Sequence, residues 1–327
     1  MISRRRVIAA AAGAAISGIV GTQEQASAVS SKTNTGKSKS KKSQVPVEAP
    51  VPNSLDSTVL DPINKQIVFY SPHPDDELLS FGLIASEYIA IGYEVVYVLL
   101  TSGSTTTAIK LINGELPSPG NGTRFVFKGK HDPLISGYKP LSVEDVGRAR
   151  VNEFRSSVGE MLARATSVHC YDILVNNQIA TEDAISVMTE IARMYPQAIH
   201  WTMSTMDVHP HHRAAGEALR QLSLTTPIKT AFAISRTTWD QIKKQRLVDN
   251  LTMPITFSFK PKSDRMQRVR NAVLPYNAWN PFAGSYAIGY SSVSAQFDDL
   301  ETYANAQYCA STPALETVIE WITTSKI

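Results

Sequence analysis

The chain has 327 residues, 43% of them hydrophobic and 19% charged, with a formal net charge of +3. Residues 1–54 carry eight basic and two acidic side chains, which leaves 24 basic against 27 acidic for the remainder, so the nominally basic balance is no argument for a nucleic-acid partner. Residues 55–327 are enough for one sizeable domain with a large core, and no internal repeat divides them.

In chain order, Arg4-Arg5-Arg6 precedes a mild Ala-rich apolar stretch from Val7 to Val20, and Ala26-Ser27-Ala28 has the A-x-A form of a cleavage site. That order predicts an export signal over residues 1–28, and Ser3-Arg4-Arg5-Arg6-Val7-Ile8 resembles the twin-arginine class used by proteins exported folded. The expected product is secreted or bound to the cell envelope after cleavage near Ala28. The apolar run is shorter than the roughly 20 residues of a stable membrane span. Residues 29–54 are rich in Ser, Lys and Pro with almost no large apolar side chains, which predicts a disordered tether. Lys32, Lys37, Lys39, Lys41 and Lys42 suit association with anionic cell-wall polymers, although a solvated linker is the better account of them.

Gln66-Ile67-Val68-Phe69-Tyr70 reads as a short buried strand that ends at Pro72. Behind it comes Ser71-Pro72-His73-Pro74-Asp75-Asp76-Glu77, an imidazole and adjacent carboxylates on one strand-to-helix turn. Pro74 biases His73 away from the helical region, and Asp75 or Asp76 can open a helix running through Leu78, Leu79, Phe81, Ile84, Ala85 and Tyr88. His73 and Asp76 can then face one point, as two ligands of a catalytic zinc that takes about three from protein. The third is expected from Asp207-Val208-His209-Pro210-His211-His212, which follows a second probable strand, Ala198 to Met203, and leads into a helix from Ala214 to Leu222. A plainer reading makes Asp75, Asp76 and Glu77 helix caps and the later histidines an exposed polar loop. Against it, four of seven histidines fall in two short segments at equivalent places in β-to-α units, where open α/β sheets hold ligands.

His73-Pro74-Asp75-Asp76-Glu77 resembles the signature of the PIG-L/LmbE-like zinc-dependent N-deacetylases, and His209-Pro210-His211-His212 resembles their second, His-Pro-Asp-His-type motif. The resemblance runs from about Lys65 to Gly216 and more weakly beyond. It implies His73, Asp76 and His212 as ligands of Zn2+ or another divalent metal, and Asp75 as general base. It implies His209 as the imidazole that stabilises the oxyanion or protonates the leaving amine. His211 departs from the pattern, since the family usually has Asp there, and Asp207 is a candidate for the missing carboxylate. Thr101-Ser102-Gly103, after the strand-like Tyr93 to Thr101, resembles the family's Thr-x-Gly loop. Arg150 and Glu153, on a helix expected over Val143 to Ala163, are spaced like its Arg-x-x-Glu, which implies Arg150 beside bound substrate. For Glu153 a surface ion pair with Arg150 is the expectation.

Past Leu222, Lys229 to Ser235 and Ile255 to Lys260 read as strands, and Thr237 to Leu251 and Ser263 to Val273 as helices. The stretch from Pro275 to Ser294, with Tyr276, Trp279, Phe282, Tyr286 and Tyr290, reads as an ordered loop whose aromatics mostly pack in the core. Cys170 and Cys309 lack the C-x-x-C spacing of a zinc site, and a bridge between them would be optional. Asn121-Gly122-Thr123 and Asn250-Leu251-Thr252 match the glycosylation sequon only incidentally. No G-x-G-x-x-G follows the first strand, which disfavours a nicotinamide enzyme. The expected fold is α/β, Rossmann-like, a mostly parallel sheet flanked by helices with an irregular β-containing C-terminal region. The expected activity is hydrolysis of an N-acetyl group from an amino sugar such as N-acetylglucosamine or a glycoconjugate. The alternatives are a zinc hydrolase of a non-sugar amide or other bond, and a non-catalytic carbohydrate-binding member of the fold.

Overall fold

The computed structural model describes residues 65–118, 129–161, 167–238, 241, 255–259, 266–306 and 317–320. The chain divides into a unit Met1–Glu48 and a unit Ala49–Ile327, and all described residues lie in the second. The expected export signal, the basic linker, both sequons and Cys309 fall outside the described residues, as does most of the helix expected over Thr237 to Leu251.

Strand β1 (Gln66–Ser71) leads into the short helix α1 (Asp76–Leu79) and then α2 (Gly82–Ala90). Next come β2 (Glu94–Leu99), α3 (Ala108–Ile112), a small antiparallel pair of β3 (Pro117–Ser118) with β4 (Gly129–Lys130), and the long helix α4 (Val143–Glu160). After β5 (Val168–Cys170) a hairpin is formed by β6 (Leu174–Val175) and β7 (Gln178–Ile179), followed by α5 (Thr181–Met194). The alternation continues with β8 (Ile199–Met203), α6 (Pro210–Thr225) and β9 (Lys229–Ala233). The C-terminal part holds β10 (Ile255–Phe259), α7 (Met266–Asn277), the pair β11 (Trp279–Asn280) and β12 (Ser285–Tyr286), α8 (Ile288–Ala306) and β13 (Thr317–Glu320).

Among the described residues the main sheet has the order β10-β13-β9-β8-β1-β2-β5. Pairs from β9 to β5 are parallel, and β13 is antiparallel to both its neighbours. The apolar runs of β1 and β2 suit this architecture, since a parallel strand covered by helices is buried on both sides. Ile67, Phe69, Tyr97 and Trp201 face α2, α4, α7 and α8. Val68, Tyr70, Val96 and Val98 face α5 and α6. Phe69 is fully buried between Phe81, Tyr97 and Trp201, so Phe69→Ala would cost about 3–5 kcal/mol.

From β1 the chain moves outward through β2 to β5, then returns to the other side of β1 as β8 and continues to β9. The order reverses between β1 and β8. Loops leaving the C-terminal ends of those two strands therefore flank one crevice, which is where open α/β sheets place ligands.

Two local expectations are corrected. The helix after Asp76 is broken: the N–H groups of Ser80 and Phe81 both donate to Asp76 O, and the chain bends so that Phe81 stacks on Phe69 with ring centroids 5.0 Å apart. The stretch from Pro275 to Ser294 is not a loop throughout. It holds the end of α7, the β11–β12 pair and the start of α8, whose first N–H groups are satisfied by Glu153 from α4. Its aromatics divide largely as expected: Tyr276 and Tyr290 are buried, whereas Phe282 is 87% exposed.

Candidate active site

The turn after β1 is built under strain. Asp75 has φ +139°, a backbone conformation that costs a residue with a side chain on the order of 1–3 kcal/mol. Several bonds hold it: its N–H donates to Glu77 Oε2 (2.9 Å), and its carbonyl accepts from Leu78 and Leu79 N–H (3.1 and 2.8 Å). Arg150 donates from Nη2 both to Asp75 Oδ2 (2.7 Å) and to Pro74 O. Glu77 is in turn fixed by the hydroxyl of Tyr276, which donates to its Oε1 at 2.6 Å. Although Asp75 precedes α1, its side chain makes no capping bond. The helix-cap reading of this residue therefore does not hold.

The Thr101-Ser102-Gly103 loop supports the turn from the β2 side. Thr101 Oγ1 donates to Pro72 O at 2.7 Å, and Gly103 O accepts from Arg150 Nη1 at 3.2 Å. Gly103 has φ +63°, and a Cβ there would come 2.7 Å from Arg150 Nη1, so only glycine fits.

The second loop leaves β8 and enters α6. His209 is the residue preceding the helix, Pro210 fills its first position, and His209 Nδ1 accepts from His211 N–H at 3.3 Å. Gly216 lets α6 approach the end of β8, because a Cβ there would lie 2.6 Å from Met203 O. His211 and His212 are buried on the inward side of the helix, and His209 is exposed at its start.

The two loops bring three donor atoms together. His73 Nδ1 lies 3.2 Å from Asp76 Oδ2 and 3.3 Å from His212 Nε2, and His212 Nε2 lies 3.3 Å from Asp76 Oδ2. Donors about 2.0–2.1 Å from a tetrahedral ion are roughly 3.3–3.4 Å apart, so the triangle already has the edges of such a coordination sphere. His73, His209 and His211 form a second cluster, but there His73 Nε2 and His211 Nδ1 are 2.8 Å apart, a hydrogen-bond separation. The residues expected to bind metal are thus brought together, and the donor set fits a small divalent ion.

Electrostatics support that fit. Burial pushes the His73 imidazole down to about 4, so it is neutral and able to ligate. Burial alone would raise Asp76, but His212 and His73 outweigh it and hold the carboxyl well below its usual range. Burial would likewise lower His212, yet Asp76 and Asp207 on either side raise it to about 10. Asp207 is fully buried, 3.2 Å from His212 Nδ1, and also accepts from His209 N–H and Ser235 N–H at 3.0 Å each. Burial works against its charge, but His212 and these donors bring it to about 2. Two buried carboxylates around one imidazole demand positive charge, which a divalent ion held by His73, Asp76 and His212 would supply in place of a proton. Asp207 is the carboxylate that orients the His212 ring.

The residues expected to do chemistry surround the triangle. A cavity of about 440 Å³ is lined by His73, Asp75, Asp76, Arg150, His209 and His212, with Leu79, Leu174, Val208 and Val293 adding apolar surface. Burial lifts the Asp75 carboxyl to about 7, with Arg150 opposing a further rise. Burial, reinforced by His212, takes His209 down to about 4. Arg150 lines the cavity, but its guanidinium is engaged by Asp75, Pro74 and Gly103. Glu153 departs from expectation. It is 5% exposed and accepts from Ile288 and Gly289 N–H at 2.7 and 2.9 Å, so it anchors α8 and forms no surface pair.

The comparisons with known proteins bear on this arrangement. Residues 68–223 match the family model described as PIG-L, GlcNAc-PI de-N-acetylase. This stretch is a PIG-L domain. The match contains both histidine loops of the PIG-L domain and runs from within β1 into α6. Among solved structures, an A40926 pseudoaglycone deacetylase aligns with a TM-score of 0.52 and 16% identity over 79% of this chain and 96% of that one. A deacetylase of teicoplanin biosynthesis, solved as its bog complex, aligns with a TM-score of 0.50 and 12% identity over 78% and 96%. At such identities the likeness is one of fold, and it agrees with the mostly parallel sheet flanked by helices. None of the curated protein sequences compared with the chain matches it.

Proposed function

We propose that the PIG-L domain is a zinc-dependent hydrolase that removes an N-acetyl group from an amino sugar or glycoconjugate. The observation that carries this reading is the triangle of His73 Nδ1, Asp76 Oδ2 and His212 Nε2 beside the buried carboxyl of Asp75. Zinc bound by the three residues supplies Lewis-acid activation of water and of the acyl carbonyl.

The chain's own groups do the rest. Asp75, with its carboxyl near 7, takes a proton from the attacking water and returns it to the departing amine, so that acetate and a free amine leave. Arg150 keeps this carboxyl in place and sufficiently acidic to be ionised at neutral pH. His209 accepts at Nδ1 from His211 N–H, so its neutral ring carries the proton on Nε2. It therefore serves as a hydrogen-bond donor to the oxyanion rather than as a charged acid. Asp207 holds His212, and the apolar side of the cavity receives the substrate's less polar parts. The family model's own description, GlcNAc-PI de-N-acetylase, favours an acetylated amino sugar.

Acetate release from a panel of N-acetylated mono- and disaccharides, with protein stripped of metal and then reloaded with zinc, tests the reading. Activity that needs zinc and is absent from Asp75→Asn is expected. Undiminished turnover by metal-free protein would refute it, and acetate release from simple amides but from no sugar would assign the alternative substrate class.

A further inference from the structure

The hairpin of β6 and β7 pairs Leu174 with Ile179 and Val175 with Gln178, which leaves Asn176 and Asn177 as a two-residue loop. Both have positive φ, +51° and +60°. That is the type I′ arrangement, whose twist matches the strands it joins and which asparagine tolerates. The carbonyl of Asn177 is therefore aimed by a tight turn.

This carbonyl lies 2.9 Å from His211 Nε2. A carbonyl can only accept, so Nε2 carries the hydrogen, and a ring with one hydrogen then has its lone pair on Nδ1. His211 Nδ1 faces His73 Nε2 at 2.8 Å. Two lone pairs at that distance would repel, so His73 donates from Nε2. A neutral His73 then presents a bare Nδ1 to Asp76 and His212, 3.2 and 3.3 Å away.

We propose that His211 is a positioning residue: bridged to the backbone carbonyl of Asn177, it locks His73 in the Nε2–H tautomer that offers Nδ1 to a divalent cation. The inference rests on the metal-centre reading above and assigns a role to the residue that departs from the family's motif. The two imidazole ligands are then oriented by different devices. His212 is held by a carboxylate, Asp207, whereas His73 is held by an imidazole and a hairpin tip. Because the device on His73 is an imidazole and a backbone carbonyl, it orients the ring without adding a further buried carboxylate to the pair already there.

Three variants and two readouts test this. His211→Phe keeps ring volume and removes the acceptor, His211→Asp supplies another acceptor, and Asn177→Gly keeps both the positive φ and the carbonyl. Zinc affinity is read by competition with a chromogenic chelator, and the His73 tautomer by ¹⁵N imidazole spectra of the metal-free full chain. Wild-type, His211→Asp and Asn177→Gly should show hydrogen on Nε2 of His73 and bind zinc with similar strength. His211→Phe should lose the fixed tautomer and bind zinc roughly 10–100-fold more weakly. Unchanged affinity and tautomer in His211→Phe would overturn the proposal. So would hydrogen on Nδ1 of His73 in the wild type, an observation that does not depend on any variant folding. A wild-type protein that takes up no zinc would defeat the hydrolase reading, while the metal-free spectra would still decide the role of His211.

Discussion

Replacing Arg150 by methionine separates two roles that the sequence pattern leaves joined. Nη2 of Arg150 is 2.7 Å from Asp75 Oδ2, with side-chain exposures of only 5% and 11%. An adjacent guanidinium typically lowers a carboxyl by about 1–3 pH units, each worth about 1.4 kcal/mol. With Arg150 present Asp75 stands at about 7, and without it the group should move to roughly 8–10. The ionised fraction at pH 7 then falls from about one half to between about 1/10 and 1/1000, so kcat/KM at pH 7 should drop about 5- to 500-fold and recover as the pH is raised. A bound cation lowers Asp75 in both proteins, so the quantity to read is the displacement of the acid limb of kcat/KM against pH for deacetylation. Removing one member of a buried pair also destabilises, here by about 3–5 kcal/mol, so folding must be checked by urea titration. Arg150→Lys, which retains the charge, should fold and show a smaller displacement. A KM raised equally at every pH, with the acid limb unmoved, would refute the argument and place Arg150 on the substrate.

Alanine at His73, Asp76 or His212 should lower zinc content and activity together, whereas Asp75→Asn should retain the metal and lose about 100- to 10,000-fold in rate; metal analysis beside kinetics decides between these roles. Glu153→Gln should weaken folding by about 1–3 kcal/mol in urea titration with zinc content unchanged, since one of the two N–H groups at the start of α8 would then face an amide NH₂. Burial raises Glu153 to about 7, so its favourable contribution is complete below the unfolded value and is lost as the pH rises through 7. The deficit of the Gln variant should accordingly be wider at pH 5 than at pH 8. Finally, N-terminal sequencing of extracellular protein should find a chain beginning near Val29, and an intact Met1 there would point to an anchor.

The sheet and the two histidine loops were legible because they depend on local pattern: continuous apolar β-branched runs, proline punctuation, and polar residues placed just after each strand. Contacts between distant residues were not. Nothing in the spacing of Arg150 and Glu153 reveals that one clamps Asp75 while the other reaches Ile288 and Gly289, because that depends on where α8 lies against α4. The sequence offers Asp207 only as a candidate, since its value comes from Ser235 and His212 converging on it. For the Asn177 carbonyl a local signal exists: Asn176-Asn177 between Leu174-Val175 and Gln178-Ile179 is a two-residue turn sequence. What no local signal carries is that this tip reaches a histidine on α6.

The pairing of β1 with β8, in which Val68 lies opposite His200, has a consequence for the order in which the molecule assembles. His73 and His212 are 139 residues apart and meet only once those two strands share their register. A slip of one residue would shift one loop by about 3.3 Å and turn its neighbouring side chains to the opposite face of the sheet. An unfolded chain can offer a metal only one loop at a time, His73 with Asp76 or the histidines from His209 to His212, so a site built from both loops would form with the sheet rather than nucleate it. Once bound, the ion stabilises the folded form by mass action, about 2.7 kcal/mol at a free concentration one hundred times the Kd. Metal occupancy, if zinc is the cofactor proposed above, would thus be a record of correct strand pairing, acquired after the fold and reinforcing it.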